Sequence, residues 1–186
     1  LEAPLLWDYE QVTSAYAIPV DEQTLTIKGG HFITVANQAE SVSKYYARGI
    51  NVNRSNVVVD GLTHTVEGEG EHGAPYTGFL HVTSCADVTV QNCTFTAHKT
   101  YQTIGRAGVT VDMGSYDFAA KRTIGLTIRD CKQTTDILDS SYWGLMGTNF
   151  CKDITLENCT FSRFDAHQGV QDVTILDSTL GWQCLN

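Results

Sequence analysis

A short pattern that recurs along the chain constrains the fold more than any other sequence feature. Each copy begins with an aliphatic residue, a Thr or Val and a second aliphatic residue, and then passes through a polar residue into a turn. This alternation has the two-residue period of a β-strand with one buried face. The copies span residues 25–32, 57–64, 88–95, 126–133, 154–161 and 173–180.

The aliphatic positions of the copies predict a stacked core. Because successive side chains of a strand point to opposite faces, the first and third residues of every copy point the same way. Stacked copies therefore form rows that bury apolar surface which no single copy could bury alone. We predict that the members of each row lie in adjacent parallel strands and face the interior. The first row is Leu25, Val57, Val88, Leu126, Ile154 and Val173, and the third is Ile27, Val59, Val90, Ile128, Leu156 and Ile175.

The turn positions form a further row of Gly, Asn and Asp, the residues that tolerate a left-handed backbone. Its members are Gly29, Gly61, Asn92, Asp130, Asn158 and Asp177. Stacked Asn and Asp side chains can hydrogen-bond from one copy to the next. The following position holds Cys93, Cys131 and Cys159, which we name the cysteine row. We predict free, buried thiols there, and because the six cysteines include no Cys-x-x-Cys pair, a zinc ribbon has no support.

A second strand is predicted before each later copy, from segments that align on their glycines. The aligned segments are residues 48–52, 77–81, 107–111 and 143–147, with 165–169 in the corresponding place of the last copy. This alignment predicts that Asp165 and His167 replace Trp143 and Leu145 of the preceding copy. An acid and an imidazole at apolar positions indicate a functional pair, because burying them is costly. The alternative is a polar pair that braces a bend of the chain.

These residues resemble the right-handed parallel β-helix (pectin-lyase-like) superfamily, which includes pectate lyases, polygalacturonases and phage tailspikes. The resemblance covers residues 23–180. It implies an all-β, right-handed parallel β-helix solenoid of about six coils with long loop insertions. We predict that residues 1–22 are an edge or capping segment and that 23–186 belong to a longer solenoid. The superfamily contains lyases, hydrolases, epimerases and non-catalytic spikes, so it implies no particular catalytic residue.

The net charge and the hydropathy of the chain limit the classes of molecule that it can bind. The formal net charge of −9 disfavours binding to nucleic acid or to an anionic membrane surface. No apolar run approaches the roughly 20 residues of a membrane-spanning helix. The resemblance to the β-helix superfamily implies a secreted, periplasmic or cell-surface protein whose partner is a polysaccharide or another glycan. No cofactor is predicted, and calcium has no supporting motif.

The candidate site residues come from the insertions and from the last copy. Insertions in a solenoid gather on one binding face, so residues 63–76, 96–106 and 133–142 are predicted to line a groove together with residues 162–167. Candidate substrate-binding residues are those whose rings and cations can contact a sugar. They are His98, Lys99, Tyr101, Arg106, Tyr142 and Trp143. The candidate catalytic residues are Asp136, Asp139, Arg163, Asp165 and His167.

Two reactions and one alternative follow from these residues. Hydrolysis would use a pair of the carboxylates of Asp136, Asp139 and Asp165. β-Elimination would use a base, His167, His98 or Lys99, and an arginine, Arg163 or Arg106, that neutralises a uronate. The sequence thus predicts a polysaccharide lyase or a glycoside hydrolase. The alternative is a β-helix of the adhesin or tailspike kind that binds glycans without cleaving them.

Overall fold

The computed structural model describes residues 9–17, 19–36, 49–73 and 78–185. These residues form strands, turns and irregular segments, and none of them lies in a helix. In chain order the strands are β1 (Leu25–Lys28), β2 (His31–Val35), β3 (Ile50–Val52), β4 (Val57–Asp60), β5 (Thr63–Glu67), β6 (Leu80–Gln91), β7 (Thr94–Phe95), β8 (Tyr101–Ile104), β9 (Thr110–Met113), β10 (Phe118–Arg129), β11 (Lys132–Gln133), β12 (Met146–Asn149), β13 (Lys152–Glu157), β14 (Thr160–Phe161), β15 (Phe164–Gln168), β16 (Gln171–Leu176) and β17 (Thr179–Leu180).

The strands form two long parallel sheets between which the chain alternates. A nine-stranded sheet contains β1, β3, β4, β6, β10, β12, β13, β15 and β16, and a six-stranded sheet follows the order β17-β14-β11-β7-β5-β2. Strands β8 and β9 form a separate antiparallel hairpin. Along the chain, one or two consecutive strands of the nine-stranded sheet precede each strand of the six-stranded sheet. The chain is therefore all-β with parallel sheets.

The predicted rows are confirmed by the strand register. Val88 pairs with both Val57 and Leu126, and Ile154 joins Leu126 to Val173 in parallel register. Leu126 and Ile154 are wholly buried. Each such side chain contributes roughly 1.5–3 kcal/mol by leaving water.

The turn row also has the predicted backbone conformation. All of its members have positive φ, including Asn92 at 54° and Asn158 at 52°. The Asn92 amide donates to Asp60 at 2.8 Å, and the Asn158 amide donates to Asp130 at 2.7 Å. These hydrogen bonds connect successive copies along the sheet.

The cysteine row contains free, buried thiols, as predicted. Each thiol donates to the carbonyl oxygen two residues before it, at 3.1 Å for Cys93, 3.2 Å for Cys131 and 3.3 Å for Cys159. Hydrogen bonds with Cys159 and Cys93, together with burial, raise the pKa of the Cys131 thiol. The row therefore packs as small apolar side chains whose hydrogen-bond donors are satisfied.

The glycine alignment of the second strands was wrong in three places. Ile50 pairs with Leu80, one residue beyond the position that the match of Gly49 with Gly78 predicts. Residues 107–111 lie in the turn and the second strand of the antiparallel hairpin, and Phe118 is the residue that pairs with Leu80 and Met146. In the last copy Asp165 pairs with Gly147 rather than replacing Trp143. The large side chains of the buried row, Leu80, Phe118, Met146 and Phe164, set this register, because they fill the core.

Residues 9–17 and 19–22, the described part of the predicted capping segment, contain no strand. Their capping role stays a prediction, and residues 1–8 lie outside the described part of the chain. No helix among the described residues is long and apolar enough to cross a membrane.

Candidate active site

A pocket of about 560 Å³ lies on the outer face of the nine-stranded sheet. Three of its lining residues, His81, Ala119 and Asp165, belong to one row of paired residues on strands β6, β10 and β15, and Gly147 of β12 completes this row beneath the Tyr116 ring. Because the residues just before them are core residues, this row faces away from the core. The row crosses three strand spacings, about 14 Å. The small side chain of Ala119 leaves a trough beside the Tyr116 ring, and a polar residue lies at each end of the row.

A buried carboxylate forms one end of this trough. Asp165 is fully buried, and it accepts a hydrogen bond from Arg163 Nη2 at 2.6 Å. The Tyr116 hydroxyl also donates to Asp165. Burial, and then this hydrogen bond to Asp165, raise the pKa of Tyr116 above its ordinary value. Tyr116 is therefore held in its protonated form.

The Arg163 guanidinium contacts two aromatic rings whose own centroids are 6.1 Å apart. Its Cζ atom is 5.1 Å from the Trp143 ring centroid and 5.7 Å from that of Tyr116. Nη1 donates to Gln183 Oε1 at 2.6 Å. These contacts orient the guanidinium toward Asp165 and leave it little freedom to rotate.

Glycines make room for these large side chains. A Cβ atom on Gly144 would approach Arg163 Cδ to 2.4 Å, and one on Gly147 would approach the Tyr116 ring to 2.7 Å. A Cβ on Gly114 would meet Trp143 Cβ at 2.2 Å. These glycines are thus needed for close contacts with side chains from other segments of the chain.

Two imidazoles reach the pocket. His167 is 56% exposed, and its Nδ1 lies 3.8 Å from Asp165 Oδ2, which is beyond hydrogen-bond distance but close enough for electrostatic interaction. His167 faces the pocket, so the expectation of an inward position was wrong; β15 has a register shift here. At the other end, burial lowers the pKa of His81, opposed by the charge of Asp117. His81 Nε2 is buried and has no hydrogen-bond partner among the described residues.

A second polar cluster lies buried beside the pocket. Asp117, which directly follows Tyr116, accepts hydrogen bonds from His64 Nδ1 at 2.8 Å and from His98 Nε2 at 2.7 Å. Burial would raise the pKa of Asp117, but the hydrogen bonds from both imidazoles outweigh it and hold this pKa well below its usual range. Asp117 is therefore ionised in the folded protein.

The structure divides the predicted site residues among separate surfaces. Four of them, Trp143, Arg163, Asp165 and His167, line the pocket. Lys99 and Tyr142 line a different, smaller depression beside Glu69. His98 is buried against Asp117, Tyr101 is buried at the start of β8, and Arg106 is exposed in the turn after it.

Asp136 and Asp139 do not line the pocket. Asp136 accepts the Leu138 backbone N–H at 2.9 Å, and Asp139 accepts that of Ser141 at 2.8 Å. Both are the Asx-turn contacts that such residues make in loops. Their catalytic roles stay predictions, and the pocket geometry gives those roles no support.

Sequence reasoning did not find Tyr116 or His81. Tyr116 lies between residues 107–111 and the copy at 126–133, in a part of the chain that neither the glycine alignment nor the predicted groove includes. The signal that could have located it is the apolar alternation of residues 118–128, which continues the strand upstream of the repeat.

No family model matches this sequence, and no curated protein matches it. A crystal structure of a putative glycosyl hydrolase from Parabacteroides merdae is similar to this chain, with a TM-score of 0.46 and 12% sequence identity. The similarity covers 84% of this chain and 77% of that chain. At this level it assigns no function and no residue role here.

Proposed function

We propose that the chain is a right-handed parallel β-helix that binds an anionic polysaccharide in the pocket and cleaves it by β-elimination. The alternation of the chain between two parallel sheets supports the helical winding, since each strand pairs with its counterpart one copy later. The secreted or surface location predicted from the sequence is part of this proposal. A polysaccharide outside the cell would be its substrate.

The observation that carries the reaction type is the composition of the pocket. Asp165 is the only carboxylate among the described residues that line it. Glycoside hydrolysis in its usual form needs two carboxyl groups on either side of the scissile bond. Elimination needs one proton-transferring group beside the sugar, and imidazole is the side chain best matched to that task near neutral pH. His167 is exposed at this position.

His167 can complete the reaction without a second acid. Its neutral imidazole takes the proton from the carbon next to the uronate carboxyl group. The electron pair of that C–H bond forms the new C=C bond, and the glycosidic C–O bond breaks. The resulting imidazolium returns the proton to the departing oxygen, so no net proton is gained or lost. Asp165, at 3.8 Å, stabilises the imidazolium in between.

The surroundings of His167 suit an extended, anionic sugar chain. Trp143 and Tyr116 supply aromatic faces beside the trough, and sugar C–H groups pack on such faces. Lys121 is exposed and pairs in the sheet with Asn149, which lines the pocket. It would neutralise the substrate carboxylate, because Arg163 is already paired with Asp165.

The test compares polysaccharides with and without uronic acids as substrates. We expect the ultraviolet absorbance of an unsaturated product from uronate polymers, and a loss of about 10²–10⁴-fold in kcat for His167→Ala. His31→Ala is the matched control, since His31 is an exposed histidine of the other sheet. New reducing ends without unsaturated product would instead show hydrolysis and would overturn the proposed elimination.

Glycan binding without cleavage is the second candidate. The observation that favours it is that Asp165 already accepts hydrogen bonds from Arg163 and Tyr116, while His167 lies beyond hydrogen-bond distance. Saturable binding of a polysaccharide that is weakened by Trp143→Ala, with no product formed by the parent protein, would establish this role. It would also exclude the catalytic one for that polymer.

A further inference from the structure

The buried cluster of His64, His98 and Asp117 has the composition and spacing of a metal site. One potential ligand atom from each residue lies within 4.8 Å of the others. All three side chains are buried, with at most 1% of any of them exposed. Imidazole nitrogens and a carboxylate oxygen are the donors that zinc takes in proteins, and these residues leave a fourth coordination position. We propose that this cluster binds one Zn²⁺ ion.

The groups behind two of the three ligands, His64 and Asp117, are arranged as they are around bound metals. A metal-ligating histidine usually hydrogen-bonds through its other ring nitrogen, and a ligating carboxylate is hydrogen-bonded in turn. His64 Nε2 is 2.8 Å from Thr34 Oγ1, and Asp117 Oδ2 accepts the Thr96 backbone N–H at 3.0 Å. Both ligands are therefore oriented by partners that a bound metal would leave in place.

The proton balance of His64 is compatible with metal binding. Without metal, the ring proton lies on Nδ1 and is donated to Asp117. With metal on Nδ1, the same proton lies on Nε2 and is donated to Thr34 Oγ1, because a hydroxyl group both donates and accepts. The imidazole stays neutral, as a ligand must be.

The negative charge of Asp117 is a second reason to propose a bound cation in this cluster. Asp117 is a fully buried carboxylate that contacts two imidazoles, and a buried carboxylate charge is costly unless a positive charge or hydrogen bonds compensate it. Among the described residues its ion-pair partners are the two histidines, and no Lys or Arg pairs with it. A bound divalent cation supplies the missing positive charge.

The ion would connect three separate parts of the chain. His64 lies on β5, His98 follows β7, and Asp117 immediately precedes β10. Asp117 also adjoins Tyr116, which donates to Asp165 in the pocket. The metal thus fixes the wall of the pocket and need not touch a substrate, so the inference stands whether or not the proposed elimination is correct.

The test measures metal directly. The protein is stripped with a chelator, dialysed, and titrated with Zn²⁺ and separately with Co²⁺. We expect one equivalent of Zn²⁺ per chain by elemental analysis, a rise in Tm, and visible Co²⁺ absorption without the near-ultraviolet band of thiolate ligation. The absence of that band excludes the cysteines as the ligands.

Variants then locate the ion. Asp117→Asn and His98→Gln should each lose the equivalent of Zn²⁺ and the rise in Tm. Asp165→Asn makes the same chemical change at another fully buried carboxylate, and His31→Gln removes an exposed histidine; both should retain the metal. If the folded parent protein takes up no Zn²⁺ or Co²⁺, or if Asp117→Asn folds and binds as much as the parent, the proposal is wrong.

Discussion

The Asp165–Arg163 pair offers the sharpest test of how the pocket is held together. Replacing Asp165 with Asn keeps the shape and an acceptor oxygen for Tyr116, but it removes the negative charge opposite Arg163. Asp165 is fully buried and the Arg163 side chain is only 7% exposed, so the guanidinium would remain as a buried charge without its counter-ion. Breaking a buried pair in this way costs about 3–5 kcal/mol.

For a chain of this size, each kcal/mol lowers Tm by roughly 2–4 °C, so Asp165→Asn should lower it by about 6–20 °C. Urea unfolding at neutral pH gives the free energy directly. The matched control is Asp136→Asn, because Asp136 is exposed and only accepts a backbone N–H in its turn. That control should unfold at nearly the parent denaturant concentration.

A double-mutant cycle separates the pair from its surroundings. Arg163→Met alone should be destabilising, since it leaves Asp165 without its cation. Combined with Asp165→Asn it should cost less than the sum of the two single changes, because neither buried charge remains. The reasoning would be refuted if each single change lowered the free energy of unfolding by less than about 1 kcal/mol, or if the two losses were strictly additive in the double variant. Either result would mean that the pair contributes no more than a weak surface ion pair.

Two further predictions concern titratable side chains. The pKa of Tyr116 is raised in the folded state, so its contribution to the free energy of unfolding is complete below the unfolded tyrosine pKa of about 10 and declines as pH rises above it. The difference in unfolding free energy between the parent protein and Tyr116→Phe, measured in urea, should therefore shrink from pH 8 to pH 11. A difference that stays constant over this range would contradict the prediction. The cysteine row is buried and Cys184 is exposed, so a thiol reagent added to the native protein should modify Cys184 and leave the row unmodified. Mass spectrometry locates the modified residues, and rapid modification of the row would contradict its packing.

Much of the fold could be predicted from local sequence because the repeat carries two independent signals, the aliphatic rows and the turn row. The aliphatic rows specify which face of each strand is buried, and the Gly, Asn and Asp turn row specifies where the chain must adopt positive φ. A slip of one residue would turn Leu126 or Ile154 toward solvent, so the register follows from the pattern. The same reasoning located the cysteine row and the amide–carboxylate contact of Asn158 with Asp130.

The site was only partly predictable, because its residues are joined by long-range packing. Sequence proximity suggested that Arg163, Asp165 and His167 form a cluster, and they do lie together in the pocket. It could not show that Tyr116 donates to Asp165 from another copy, or that Asp117 gathers His64 and His98 into one buried cluster.

The sequence by itself determined the periodic part of this protein: the strands, their buried faces and the order in which they stack. Those properties depend on the φ preferences and side-chain alternation of each copy. Only the tertiary structure decided which irregular residues meet. Gly144 and Gly147 looked like equivalent markers of a strand, yet each leaves space for a side chain from elsewhere in the chain, Arg163 and Tyr116 respectively. Contacts of this kind depend on the paths of loops between strands, and no local pattern encodes those paths.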